Sequence, residues 1–433
     1  MKTFSILVFS ASLLLSISSK AEDSADDSAG KRSIEEFVSP DGRVDIEAVR
    51  KSGYQGTLDL DGFNVRIDPK TGEPLVQVSA SPADPDDIYW DNSISPSLLG
   101  LGDIVFALAV YDSNLIVAGQ FTAAGVVSAG RIASWDGTSW SALGAGMNRT
   151  VWSLTVYNNQ LIAGGEFTTA GGVPTGRIAS WDGTSWSALG TGMNGFVHAL
   201  TVSDNQLIAG GRFTIAGGVS ASRIASWDGT SWSALGTGMN DRVSALTVYN
   251  NQLIAGGFFI TAGGVSALRI ASWDGTSWSA LGTGMNGNVF ALTVYNNQLI
   301  AGGKFTGVGG VAASYIASWD GTSWSALGTG MDFYVYALTV YNNQLIAGGL
   351  FTTAGSVSAS RIASWDGTSW SALGTGMNGN VFALTVYNNQ LIAGGTLYHC
   401  RGCLCQLYCF LGRHILVGSR LRDEFHCLCP HGL

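Results

Sequence analysis

Short apolar runs alternate with turn residues along most of this chain, and the pattern repeats every 46 residues. One unit, from Val151, reads VWSLTVYNNQLIAGGEFTTAGGVPTGRIASWDGTSWSALGTGMNGF. β-branched and aromatic residues dominate its apolar runs, and no helical period occurs in the array, so each run predicts a β-strand. The tryptophan that opens WDG marks the period, at Trp135, Trp181, Trp227, Trp273, Trp319 and Trp365.

Each unit contains four strand candidates. VWSLTVY and QLIAGGEF flank an Asn158-Asn159 turn, and GRIASW and TSWSALG flank an Asp182-Gly183 turn. Asn, Asp and Gly tolerate the positive φ angles that primed hairpin turns require. Four short antiparallel strands in about 46 residues are typical of one propeller blade. A solenoid is the competing repeat fold, but its coils are usually shorter and lack two successive hairpins.

Counting the units predicts the closure of the propeller. Six whole units begin at Val105 and follow one another, and a seventh begins at Val381. Ile88–Gly100 matches the third and fourth strands of a unit, whereas Val381–Gly395 matches the first and second. The sequence therefore predicts an all-β propeller of seven blades over residues 88–395, closed by pairing of N- and C-terminal strands.

Two local motifs carry a family resemblance. The double glycine Gly164-Gly165 and the Trp186-x-x-Leu189 spacing resemble the kelch-type β-propeller, the fold of the galactose oxidase central domain. WDGTSWSALGTGMN is similar to a group of exported bacterial propeller-repeat proteins and, more weakly, to the propellers of fungal cortical polarity markers. The resemblance covers residues 89–395 and implies the fold. It does not imply copper oxidase chemistry, because this stretch has a single histidine, His198, and no cysteine. No metal or other cofactor is expected.

The N-terminal segment predicts export. Residues 1–21 have a short basic start, an apolar stretch and small residues before Ala21, as in a secretory signal peptide. Residues 22–41 are acidic and predict a disordered linker, and residues 42–87 predict a short helix with hairpins. We expect a secreted or cell-surface monomer without a membrane-spanning segment after cleavage. The net charge of −9 argues against nucleic acid as a partner.

The segment 396–433 departs from the repeat and contains all six cysteines. Its Cys-x-x-Cys-x-Cys spacing could indicate a metal site, but it lacks the paired Cys-x-x-Cys motifs of strong zinc sites. Codons can be chosen for FLGRHILVGSR that spell SWDGTSWSALG one base out of frame. CLCPHGL gives VFALTVY in the same way, and both fall where the repeat requires them. We therefore interpret this segment as a frameshifted, non-native tail.

The repeat offers little for catalysis. Glycosidases use two carboxylates that face a cleft, and the array has one glutamate, Glu166. The WDG aspartates have a turn role that already explains them. Indoles can stack on sugar rings, but tryptophans that recur within strands favour a core role. The tryptophans interpreted as structural core are Trp135, Trp140, Trp181, Trp186, Trp227, Trp232, Trp273, Trp278, Trp319, Trp324, Trp365 and Trp370.

Comparison of the repeat copies indicates where function lies. The turns and the LIAGG strand stay constant, whereas residues before and within the first strand and after the double glycine vary. Blade topology places these variable positions on one face and around the channel entrance, where loops on rigid scaffolds carry binding sites. The candidate binding residues are Arg149, Trp152, Glu166, His198, Arg212, Arg242, Phe290, Lys304, Tyr336 and Phe382.

The sequence thus predicts a non-enzymatic propeller that binds a protein or glycan partner through its variable face. Two alternatives remain open at this stage. Nearly identical blades could serve a structural or adhesive role at the cell surface, and a carbohydrate-active enzyme could use carboxylates that the repeat pattern does not reveal.

Overall fold

The structure of the protein is a computed structural model, which describes residue 101 and residues 103–396 together with six short strands nearer the N-terminus. Those six strands belong to a separate compact unit, Met1–Pro85. Within residues 42–87, which predict a short helix with hairpins, Phe63–Ile67 pairs antiparallel with Pro74–Val78. The other strands of this unit are Thr3–Phe9, Ser12–Ser18, Arg32–Ser33 and Leu58–Asp59.

Several predictions fall on other parts of the chain. Signal-peptide cleavage, all of the predicted linker except Arg32–Ser33, the short helix of residues 42–87, the strands predicted in Ile88–Gly100 and nearly all of the cysteine-rich tail lie outside the described residues.

The prediction of an all-β propeller built from four-stranded antiparallel blades is confirmed, and residues 103–396 contain no helix. The first strand of each repeat is innermost and pairs with the second, which pairs with the third. The first strands are Val105–Tyr111, Val151–Tyr157, Val197–Ser203, Val243–Tyr249, Asn288–Tyr295, Val335–Tyr341 and Val381–Tyr387. The second strands are Asn114–Gly119, Gln160–Gly165, Gln206–Gly211, Gln252–Gly257, Gln298–Lys304, Gln344–Gly349 and Gln390–Gly395.

The third and fourth strands form the outer half of each blade. The third strands are Ile132–Trp135, Ile178–Trp181, Ile224–Trp227, Ile270–Trp273, Ile316–Trp319 and Ile362–Trp365. The fourth strands are Trp140–Ala142, Trp186–Ala188, Trp232–Ala234, Trp278–Ala280, Trp324–Ala326 and Trp370–Ala372. The loop between the second and third strands forms a small two-stranded ribbon in each blade. The ribbons pair Ala123–Ala124 with Val127–Ser128, Thr169–Ala170 with Val173–Pro174, Ile215–Ala216 with Val219–Ser220, Thr261–Ala262 with Val265–Ser266, Gly307–Val308 with Val311–Ala312, and Thr353–Ala354 with Val357–Ser358.

The predicted number of seven blades is wrong for the described chain, which contains six four-stranded blades. At the seventh position, Val381–Tyr387 and Gln390–Gly395 form only a two-stranded hairpin. Its partner strands were predicted in Ile88–Gly100, which lies outside the described residues. The hairpin still packs against the first blade, because Tyr387 and Ile392 share a buried cluster with Val105.

The hydrophobic core lies between blades rather than within them. A typical cluster joins Ile116 and Met147 of the first blade to Val151, Leu161 and Trp186 of the second. Each blade also buries one phenylalanine, within two residues of the end of its second strand. These phenylalanines are Phe121, Phe167, Phe213, Phe259, Phe305 and Phe351.

Hydrogen bonds repeat across these blade interfaces. The indole Nε1 of Trp186 donates to the Leu143 carbonyl of the preceding blade at 2.8 Å, and four later blades repeat this bond at 2.9–3.0 Å. At the other end of the sheet, the hydroxyl of Tyr157 donates to the Asn205 carbonyl of the following blade at 3.2 Å. A buried Trp or Tyr with a satisfied polar atom stabilises an interface through both its area and its bond.

The two hairpin turns of a blade differ in type. Asn158 and Asn159 have φ of 48° and 57°, as a type I′ turn requires. The predicted Asp-Gly turn is instead a four-residue loop, because Trp181 pairs with Trp186 and only Gly183 has positive φ. Asp182 closes this loop by accepting bonds from the backbone and hydroxyl groups of the next Thr and Ser.

The double glycine permits neighbouring blades to approach closely. A Cβ at Gly256 would lie 2.6 Å from Cγ1 of Val289 in the next blade. We expect Gly256→Ala to lower the free energy of unfolding by about 1–3 kcal/mol, because overpacking forces strain on a filled core. Denaturant unfolding of G256A, V289A and the double variant checks this. Val289→Ala should relieve the clash, so additive losses in the double variant would contradict the explanation.

The third inner strand lacks the tyrosine that links most blades. Ser203 occupies that position, whereas its equivalents Tyr157 and Tyr249 are buried and bond to the following blade. We expect Ser203→Tyr to stabilise the protein by about 1–3 kcal/mol through ring burial and a bond to the Asn251 carbonyl. The thermal unfolding midpoint of S203Y should be higher than that of S203F, which lacks the hydroxyl. Equal midpoints for S203F and S203Y would exclude a contribution from the bond.

Candidate binding face

The course of each blade defines two faces of the propeller. Every first strand runs from the variable positions to the two-residue turn, which is Asn-Asn except for Asp112-Ser113 and Asp204-Asn205, and the second strand returns. The face that contains the loops before the first strands, the ends of the second strands and the starts of the third strands is called the variable face. The opposite face, which contains both hairpin turns of each blade, is called the turn face.

Charge is divided unequally between these faces. All nine arginine and lysine residues of 103–396 lie on the variable face, together with only four acidic residues. The turn face carries eight aspartates and no basic residue within that range. Six of these aspartates close WDG loops, and hydrogen bonds from the loop Ser and Thr hold their pKa well below the usual range. The two faces therefore have opposite charge.

Aromatic side chains surround the mouth of the central channel. The residue after the first valine of each inner strand points into the channel, which has a cavity of about 220 Å³ lined by all seven strands. The rings of Phe106 and Trp152 lie 4.2 Å apart between centroids, and Phe290 stacks on Tyr336 at 5.0 Å. The residues of this aromatic collar, in ring order, are Phe106, Trp152, His198, Ser244, Phe290, Tyr336 and Phe382.

The collar is interrupted at Ser244, where basic side chains gather. Arg242 donates from Nε to the Ser244 hydroxyl at 3.0 Å, and its guanidinium carbon lies 3.8 Å above the Phe258 ring. Burial lowers the pKa of Arg242, and the nearby charge of Arg212 lowers it further. Burial, followed by the Arg242 and Arg212 charges, lowers the pKa of His198 to about 3. Nε2 of His198 is buried and has no hydrogen-bond partner within the described chain.

The other charged candidates lie around the same mouth. Glu166 accepts a hydrogen bond from Nε1 of Trp152 at 3.3 Å. Across the channel, Nζ of Lys304 lies 5.2 Å from the Tyr334 ring centre, beside the stack of Phe290 and Tyr336. The structure thus brings nine of the ten predicted binding residues together at the channel mouth, whereas Arg149 is exposed on a loop between two blades.

Some residues of this face were missed by sequence reasoning. Phe106 belongs to the collar, and its position 46 residues before Trp152 could have revealed it. The arginine that precedes five of the six IASW strands was also missed; the fifth blade has Tyr315 there. Arg177 and Arg361, two of these residues, adopt positive φ and donate to backbone carbonyls of the next inter-blade loop.

The conserved tryptophans occupy a different part of each blade. The indoles of each WDGTSW pair lie 5.2–5.3 Å apart between centroids. In blades two to six the second tryptophan of the pair is buried, and its Nε1 bonds to the preceding blade. The first tryptophan is buried or half-buried. None of these indoles lines the channel cavity, so a ligand at the collar would not stack on them.

Residues 103–396 contain neither a metal-binding group nor a membrane-spanning helix. Within 103–396, no three His, Cys, Asp or Glu side chains come together as a metal-binding group. The same part of the chain contains no helix of the length and apolarity needed to cross a membrane.

Comparisons with known proteins define the class as β-propeller repeat proteins. Residues 184–340 match the family described as the Rax2 C-terminal beta propeller domain. No curated protein matches the chain. The kelch-type assignment stays a prediction.

Among solved structures, a chain of the mitotic checkpoint complex is similar with 14% identity and a TM-score of 0.50 over 75% of this chain and 92% of that one. The extracellular domain of a protein described as a hybrid two component system from B. thetaiotaomicron has 10% identity and a TM-score of 0.50, over 75% of this chain and 40% of that one. The computationally designed Ika8 protein has 17% identity and a TM-score of 0.45, over 72% of this chain and 97% of that one. At these identities the likeness concerns the fold alone.

The buried histidine predicts an acid sensitivity. The unfolded chain takes up a proton on His198 near its ordinary pKa of 6.5, whereas the folded chain does so only near 3. Stability must therefore fall as the pH drops from 6.5 towards 3, by about 2 kcal/mol at pH 5. The WDG aspartates add little to the loss at pH 5, because their ordinary pKa of 3.8 is lower and their contribution to stability is lost only as the pH falls towards and below it. Denaturant unfolding at pH 7.5 and pH 5 should show that His198→Gln loses less stability between these pH values than the unmodified chain. An equal loss of stability in both proteins would contradict the assignment of the acid sensitivity to His198.

Proposed function

We propose that this chain is an exported, non-enzymatic β-propeller that binds a protein or glycan partner through its variable face. One observation carries the proposal: the residues that differ between otherwise nearly identical blades gather at one channel mouth, where aromatic and charged side chains lie side by side. Aromatic residues and arginine are enriched at binding surfaces. The conserved residues of the repeat serve turns and blade interfaces instead, so selection for folding alone gives no reason for this clustering.

Export to the cell surface or the medium is part of the proposal and is supported by the signal-like start of residues 1–21. The proposed protein acts as a monomer, and this is supported by the packing of the final hairpin against the first blade, which completes the ring within one chain. Nucleic acid is not among the proposed partners. Catalysis is not proposed, because the one glutamate of the variable face, Glu166, is engaged by Trp152.

A structural or adhesive role is the second candidate, and it has its own supporting observation. The peripheral ribbons expose a valine at equivalent positions in four blades, and the first ribbon exposes Val126, one residue before the equivalent position, to 88%. Repeated apolar side chains at a rim can make multivalent contacts that need no variable face. The other exposed ribbon valines are Val173, Val219, Val265 and Val311.

Substitutions on the variable face separate these two functions. We expect Trp152→Ala, Arg212→Ala and Tyr336→Ala each to weaken partner binding at least tenfold, because truncation of an aromatic or arginine anchor costs more than about 1.4 kcal/mol. The measurement is binding of the labelled full chain to a glycan array and to immobilised extracellular proteins, with thermal unfolding alongside.

The exposed outer-strand variants Ser187→Ala and Ser233→Ala are matched controls. Binding that survives all three variable-face substitutions but is lost with Val126→Ser and Val219→Ser would support the adhesive role instead. Turnover of a polysaccharide by the unmodified chain would contradict the non-enzymatic assignment.

A further inference from the structure

The gap in the aromatic collar has the properties of an anion site. At this gap the inner strands of the third and fourth blades present His198 and Ser244. Arg242 bonds to Ser244, and Arg212 lies close enough for its charge to act on both His198 and Arg242. The gap bounded by these four residues is called the basic notch. It is the one position of the collar where the inner strand contributes a small hydroxyl side chain instead of a ring.

The charges of the basic notch are not neutralised by the protein. Within residues 103–396 neither Arg212 nor Arg242 forms an ion pair with a carboxylate. The nearest acid, Asp241, accepts the backbone N–H of Arg242 at 2.7 Å rather than binding its guanidinium. Two like charges close to a buried imidazole raise the free energy of the empty site, and a bound anion would lower it. This repulsion between basic groups is confined to the notch, because the other basic residues of the face are spread over different blades.

The geometry of the notch suits a planar anion. Phe258 lies beneath the Arg242 guanidinium and Ser244 accepts from its Nε, so the orientation of that side chain is fixed. A fixed guanidinium presents its remaining N–H groups as a fork, which matches the two oxygens of a carboxylate. Arg212 is exposed and is free to approach the same anion from the preceding blade.

The surroundings of the notch favour a sugar as the group that carries this anion. Trp152 lies 5.6 Å from His198 between ring centroids, and Phe196 packs edge-on against the same imidazole. Flat aromatic surfaces beside a cation suit a pyranose ring with an acidic substituent, since such rings have apolar faces and polar edges. The excess of basic residues on the variable face would also attract a polyanionic chain from a distance.

We propose that the basic notch binds the carboxylate of an acidic sugar in a polysaccharide, with Arg212 and Arg242 as its direct ligands and the aromatic collar against the sugar ring. This inference rests on the proposed function of the variable face and names the ligand class for it. An acidic peptide presents the same carboxylate without the ring, and it is the alternative that the experiment must separate.

The test is calorimetric titration of the full chain with three probes at low and moderate salt. These are a galacturonic acid tetramer, a neutral galactose tetramer and a glutamate tetrapeptide. We expect the galacturonic acid tetramer to bind most tightly and to lose affinity as salt is raised. Arg212→Gln and Arg242→Gln should each weaken it by about 10–100-fold, the usual effect of losing a charge-assisted hydrogen bond.

Arg131→Gln is the matched control, because it removes one positive charge from the same face two blades away and should change affinity less than about threefold. Phe258→Leu provides a second measurement, since it leaves every charge in place but removes the support beneath Arg242. We expect it to weaken binding of the galacturonic acid tetramer without altering the salt dependence.

Other outcomes overturn the inference in distinguishable ways. Equal binding of the neutral tetramer, lost with Trp152→Ala but not with Arg212→Gln, would exclude the anion site and leave the proposed function standing. Tighter binding of the glutamate peptide, lost with Arg212→Gln, would show that the notch serves an acidic protein. Failure of all three probes, together with no binder in the arrays, would overturn both proposals.

Discussion

The close approach of neighbouring blades at the double glycine is the constraint on which this structure depends. A side chain at Gly164 or Gly256 would meet a valine of the next inner strand at 2.5–2.6 Å. Because these positions have no Cβ, the second strand of one blade lies directly against the first strand of the next. This close contact allows the apolar side chains to fill the space between the blades. The same contact closes the ring, because Gly394 of the final hairpin meets Val105 of the first blade in the same way.

This rigid interface explains how a nearly invariant repeat can carry a variable site. Tryptophan and tyrosine hydrogen bonds hold successive blades in one register, so the residue after the first valine of every inner strand reaches the same level of the channel. A substitution at that position changes the collar without disturbing the interface behind it. The fold separates the residues that hold the blades together from those that face a ligand.

Much of this was predictable from the sequence, since strands, turns and blades follow from local periodicity that repeats six times. The Asn-Asn turn was predicted correctly because two positive φ angles leave few alternatives. The Asp-Gly turn was not, because a four-residue loop closed by the Asp182 carboxylate has nearly the same sequence signature. The number of four-stranded blades was wrong because counting units does not determine how strands far apart in the chain pair. The basic notch was beyond prediction, because Arg212 and Arg242 come from two adjacent blades and are brought together only when those blades pack.

The unequal charge of the two faces has a physical origin in the turns. An aspartate that closes a WDG loop accepts several hydrogen bonds, so its negative charge is stabilised locally and needs no basic partner. Because the loop recurs in every full blade, the repeat places its acids on the turn face and leaves few to pair with arginines on the other. The basic residues of the variable face therefore keep their charge available to an external anion. A binding preference for acidic ligands would then follow from how the repeat builds its turns, and the variable residues would determine only where on the face that preference is strongest.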